Sequence, residues 1–187
     1  MKKLLFSFFA LSYLWHSTSN AEDIRLCYDF GCKSSVPIAF SAEQFSSLAQ
    51  VFDPPALSPW IEKQQIRQAI AMMERYSGQI AGTDKDLGGN YNGLDLPRQQ
   101  DCIDESTNTF QFLSLLQQHG LLHWHEVIPK QRRIVWFFTH WSAAIRELDS
   151  GQPYVVDSWY RDNGELPYIQ KLDDWQRRNS FDLALNP

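Results

Sequence analysis

Three residues of this 187-residue chain have the side chains of a nucleophile, a base and an orienting carboxylate: Cys102, His140 and Asp157. A thiol attacks a carbonyl as its thiolate, an imidazole takes and returns the proton, and a carboxylate fixes the imidazole tautomer. Cys102 stands in Asp101-Cys102-Ile103-Asp104-Glu105, ahead of a run with apolar residues Ile103, Phe110, Leu113 and Leu116 at helical spacing. Asp101 can cap that helix, Asp104 and Glu105 suit the positive end of its dipole, and Gly120 ends it. A cysteine at such a helix start meets free amide hydrogens and a positive partial charge, which favour the thiolate.

The other two residues belong to a stretch that alternates as strands do. Arg133 to Phe138, Trp141 to Leu148 and Pro153 to Trp159 are rich in bulky and β-branched residues, and Asp149-Ser150-Gly151 is a hairpin turn between the last two. A turn centred on Ser150 sets His140 opposite or diagonal to Asp157, within reach of a ring nitrogen. The helix start can then bring the thiol to the other nitrogen.

Asp101-Cys102-Ile103-Asp104, the helix after it, His140-Trp141-Ser142-Ala143 and Val155-Val156-Asp157-Ser158-Trp159 resemble the core of the transglutaminase-like superfamily, including its bacterial cysteine-peptidase-like members. The resemblance covers roughly residues 98–160. It implies a papain-like α+β fold with the nucleophile helix packed on an antiparallel sheet. It also implies a Cys102-His140-Asp157 triad doing acyl transfer or hydrolysis on peptide or carboxamide substrates. The Cys102 amide, with Gln99, Gln100 or Gln79, would supply the oxyanion donors. The alternative is a non-catalytic exported module whose aromatic cleft, with Trp141 and Trp159, takes a peptide or a glycan.

Cys27 and Cys32 lie five residues apart with Gly31 between them, and in an oxidising compartment they can close a small loop. That leaves Cys102 as the odd thiol, either buried and inert or kept for chemistry. Two further clusters offer ligands. His119, His123 and His125 match no familiar zinc spacing, and the loop with Asp84, Asp86, Asn90 and Asn92 lacks the twelve-residue calcium pattern. No metal or cofactor is expected.

The chain opens with Lys2-Lys3, an apolar run from Leu4 to Trp15 and small residues at Ser19 and Ala21, which reads as a signal peptide over residues 1–21. The remainder, residues 22–187, is then a single periplasmic or secreted domain. Cleavage removes two basic residues and no acidic one, taking 17 basic against 22 acidic residues to a net of −7. That balance gives no reason to expect nucleic acid or a membrane surface as partner. A peptide or protein is the expected partner, and oligomeric state is not readable. Upstream, Ser41 with Gln44 forms a capping box for a helix to about Gln50, and Ser58-Pro59 opens a second helix over 59–77 with Gly78 as terminator. Another short helix is expected near Asp173 to Arg178. Helices first and strands later make an α+β domain.

Overall fold

The computed structural model describes residues 24–90, 96–135 and 137–177. The signal peptide read from residues 1–21 lies outside them, as does Asn92 of the glycine-rich loop. Ten elements follow in order: β1 (Ile24–Tyr28), β2 (Ser34–Ile38), α1 (Ala42–Gln50), α2 (Pro59–Ala81), α3 (Cys102–Gln118), β3 (His125–Val135), β4 (Phe138–Glu147), β5 (Pro153–Asp157), β6 (Tyr168–Lys171) and α4 (Leu172–Arg177). The strands form two antiparallel sheets, a β1-β2 hairpin and a four-stranded β3-β4-β5-β6 meander. The fold is therefore α+β, with helices packed on both sheets. None of the described helices is long and apolar enough to cross a membrane.

Local chemistry explains most helix ends. Ser41 and Gln44 form a reciprocal capping box at α1, and Asp101 and Asp104 form another at α3, each satisfying amides that the helix leaves open. Ser58 caps α2, with Pro59 at the first helical position. The expected stop at Gly78 is corrected. The helix runs on to Ala81, and Gly82 at φ 75° is the left-handed terminator. Gly78 is inside α2 because Asn163 packs there; an added Cβ would lie 2.8 Å from its side-chain oxygen.

The core joins Ile66, Ile70 and Met73 of α2, Phe112, Leu113 and Leu116 of α3, Ile24 and Leu26 of β1, and Ala143, Ile145 and Val156 of the meander. Each large side chain removed from water here contributes roughly 1.5–3 kcal/mol. Ile103 stays partly exposed, so the apolar face of α3 lies in its second half. The first half buries Asp104, Glu105, Ser106, Asn108 and Thr109 instead. That polar half carries the candidate site.

The strand boundaries also move. The strand expected over Arg133–Phe138 is the second half of a longer one, His125–Val135, with an irregularity between Ile128 and Gln131. Phe138 opens β4. The Asp149–Gly151 hairpin sets Ala143 opposite Val156 and Ile145 opposite Tyr154. Continuing that register places Asp157 one step diagonal from His140.

Candidate functional site

Asp101 and Asp104 hold the start of α3, and they hold a second element with it. After β1 the chain makes one left-handed turn through Asp29, Phe30, Gly31 and Cys32, at φ 66°, 65°, 70° and 57°. The three of these that carry a Cβ each cost roughly 1–2 kcal/mol in that conformation. The Cys27–Cys32 disulfide closes the turn. Its successive amides point at the capping acids: Phe30 N–H donates to Asp104 Oδ2 (2.9 Å), Cys32 N–H to Asp104 Oδ1, and Gly31 N–H to Asp101 Oδ2 (3.0 Å). Such a run of amides is an anion nest, and here the anions belong to the protein. Asn108 pins the far end by accepting from Cys27 N–H at 2.7 Å and donating to its carbonyl at 2.9 Å.

The meander brings His140 and Asp157 together at 2.8 Å, both 1% exposed. Trp175 of α4 donates its indole N–H to the same Asp157 oxygen, also at 2.8 Å. The His140 ring is surrounded by Trp159, Tyr160 and Trp175, with centroids 4.9, 5.0 and 5.6 Å away. Arg133, opposite His140 on β3, ties this cluster together by donating to the Trp175 carbonyl and the Tyr160 hydroxyl, each at 2.7 Å.

Between these two assemblies lies a cavity of about 140 Å³ lined by Phe30, Asn90, Asp101, Cys102, Phe138, Thr139, His140 and Trp159. Cys102 is half-buried, and its thiol donates a long hydrogen bond of 3.8 Å to the Thr139 carbonyl. Phe138 of the lining is exposed, as are Phe137 before it and Ile134, the strand partner of the lining residue Thr139. Trp141, expected in the cleft with Trp159, does not line the cavity; Lys130 lies 5.7 Å over its ring. The glutamines considered as oxyanion donors are used elsewhere. Gln99 bonds Leu87, Asn90 and Lys85, Gln100 donates to the Cys27 carbonyl, and Gln79 is exposed on α2.

Three buried acids lie close together: Glu74 of α2, Asp86 of the loop that carries Asn90, and Glu105 of α3. Glu105 accepts from Ser158 Oγ (2.7 Å), Asp86 from Gln100 N–H (2.7 Å), and Glu74 from Gly164 N–H (3.1 Å). No cation pairs with any of them among the described residues. Burial, then the neighbouring Glu105 charge, pushes Asp86 up to about 8. Burial also lifts Glu105 to about 7, against the Ser158 hydrogen bond, and holds Glu74 well above the usual carboxylate range. The helix-dipole role expected for Asp104 and Glu105 is thus outweighed. Asp104 itself rises to about 7 through burial and the Asp101 charge.

His125, from the expected histidine cluster, is buried against Glu62 of α2 at 2.9 Å, and Glu62 also accepts from the His123 and Trp124 amides. His119 caps the end of α3, with its ring against Phe45.

Comparison with known protein families, with curated proteins and with solved structures returns no match. The state of the cysteines corrects the transglutaminase-like assignment and the thiol-dependent acyl transfer it implied. Cys27 and Cys32 are consumed in a disulfide packed on Asp104, so the acids of the Asp-Cys-x-Asp motif clamp a hairpin. Cys102 is the remaining thiol. Burial pushes it up to about 11, with the Asp101 and Asp157 charges adding to the rise and the Trp141 amide opposing it. At neutral pH it is a thiol, the reverse of the thiolate expected from its helix position. The hydrolase and cysteine-peptidase readings are corrected with the assignment that implied them.

Sequence reasoning missed Phe30, Asn90, Asp101 and Phe138 as parts of one wall. The signal available for Phe30 was its place between two cysteines of a closable loop.

Proposed function

We propose that this chain is a non-catalytic peptide-binding module that seats one side chain of its partner in the cavity between α3 and the meander. The observation that carries the reading is the cavity itself: three aromatic walls, Phe30, Phe138 and Trp159, enclose about 140 Å³ around a few polar groups. Binding sites commonly combine apolar walls with a small number of placed polar atoms. An apolar cavity of about 150 Å³ holds a benzene-sized group, so this one suits a single side chain. Asn90 in the wall donates its amide to Leu87 and Gln99, and its buried Oδ1 has no hydrogen-bond partner among the described residues. The exposed Ile134, Phe137 and Phe138 of the β3-β4 hairpin suit the apolar flanks of a peptide better than the hydroxyl-rich faces of a sugar. An exported location, read from residues 1–21, belongs to the same proposal.

The test is capture from a random peptide library and a parallel glycan array by the folded protein. Phe138→Ala is the control, because that side chain is 59% exposed and its loss leaves the core intact. Peptides retained by the parent protein and lost by the variant support the reading. Retention of glycans alone replaces it with the sugar-binding alternative, and retention of neither refutes it.

A further inference from the structure

The left-handed turn that presents Phe30 to the cavity is held at its two ends by unlike means. At the first end Cys27 is 3% exposed and fixed by Asn108, while Gln100 donates to its carbonyl at 2.9 Å. At the second end Cys32 is exposed, followed by exposed Lys33, and its sulfur bond to Cys27 is the covalent link that closes the turn. Between them, three residues with a Cβ keep positive φ, and Phe30 projects beside Cys102 in the cavity wall. Opening the disulfide leaves β1 docked through Asn108 and paired with β2, but it leaves only the Asp101 and Asp104 carboxylates and the Gln99 carbonyl to hold Asp29, Phe30 and Cys32 in a conformation L-residues leave readily.

We propose that the Cys27–Cys32 disulfide is a redox latch on the cavity: reduction by a dithiol releases the Phe30 wall and opens the site around Cys102, while the rest of the domain stays folded. The reductant's thiolate attacks the sulfur of Cys32, the exposed partner of the pair. The Cys27–Cys32 bond breaks, and its electron pair leaves on Cys27, which takes up a proton. The reductant's second thiolate then attacks its own sulfur in the mixed disulfide. Cys32 departs, takes up a proton, and the reductant is left as a disulfide. Two electrons and two protons enter the protein. With the closure gone, residues 29–32 relax to negative φ, the three amides leave the Asp101 and Asp104 carboxylates, and Phe30 swings from the wall.

The latch extends beyond the peptide-binding reading, and its readout needs no peptide. Cys102 is the reporter, because it lines the same cavity. The Cys27→Ser/Cys32→Ser variant of the full chain carries Cys102 as its one thiol, so alkylation by iodoacetamide at pH 8 gives one rate without ambiguity. Amide exchange is followed in the same samples, and the parent protein is measured with and without a phosphine reductant. The expected result is at least a tenfold faster alkylation of Cys102 in the variant and in the reduced parent. The amides of residues 30–32 should lose protection, while those of Leu113 and Ile145 keep theirs. Alkylation within twofold of the oxidised protein, with the Phe30 amide still protected, would show that the carboxylates alone hold the turn, and would overturn the latch. Loss of protection throughout α3 and the meander would also overturn it, by showing a bond that stabilises the whole domain.

Discussion

Replacing Glu105 with glutamine should make this protein more stable in alkaline solution and flatten its pH dependence. Glu105 is 4% exposed, accepts from Ser158 Oγ, and shares its interior with Asp86 and Glu74. Its folded pKa is about 7 against an ordinary 4.5. Between those values the folded state holds more protons than the unfolded chain, so stability falls as pH rises through this window and levels above it. A tenfold change in acidity corresponds to about 1.4 kcal/mol, which sets a ceiling of about 3 kcal/mol for Glu105 at pH 8. Sharing of protons within the cluster reduces that, so a gain on the order of 1–2 kcal/mol at pH 8 is expected. Glutamine keeps an acceptor for Ser158 and removes the charge that lifts Asp86. For a chain of this size that gain is roughly 3–6 °C in Tm. The assay is thermal unfolding of parent and Glu105→Gln from pH 5 to pH 9. Curves that diverge as pH rises, with the variant more stable above pH 7, are the expected outcome. A variant destabilised equally at every pH would show that the Ser158 bond outweighs the buried charge, and would refute the reasoning.

Three further outcomes follow from the same geometry. The alkylation rate of oxidised Cys102 should climb about tenfold per pH unit from pH 7 to pH 10, because the thiol titrates near 11; a plateau below pH 8 would mean a thiolate and would revive nucleophilic chemistry. Glu62→Ala should cost about 3–5 kcal/mol by leaving His125 and the His123 and Trp124 amides buried without their acceptor, seen as a lower urea midpoint. Gly88→Ala should cost about 1–3 kcal/mol, since its Cβ would sit 2.6 Å from the backbone of Tyr160 and Arg161; a neutral effect in the same titration would mean that the loop shifts freely.

Much of the scaffold was legible because its signals are local. The caps at Ser41, Ser58 and Asp101 act within one turn of chain, and the Asp149–Gly151 hairpin fixes register by its own geometry. That register is why Asp157 meets His140. The β1-β2 hairpin was not legible. Ser34-Ser35-Val36-Pro37-Ile38 carries few strand formers, and a proline is tolerated there because the strand has one partner. Gly78 misled because a glycine at a helix end and a glycine at a close contact look alike until Asn163 is in place. The state of Cys102 misled for a reason of magnitude. A helix terminus contributes typically 0.3–1 kcal/mol, less than a tenfold change in acidity, whereas burial can move a pKa by as much as about 3–5. Which side wins depends on what packs over the thiol. Phe30, Phe138 and Trp159 come there from three separate parts of the chain.

The central claim is that the cavity beside α3 binds a peptide without changing it. The most direct measurement is the intact mass of peptides captured by the parent protein and by Cys102→Ala, together with the mass of the protein after incubation. Equal capture by both, with peptides recovered at unchanged mass and no adduct on the protein, is what the account predicts. Peptides cleaved or deamidated by the parent alone, or an acyl adduct on Cys102, would contradict it and restore catalysis to this site.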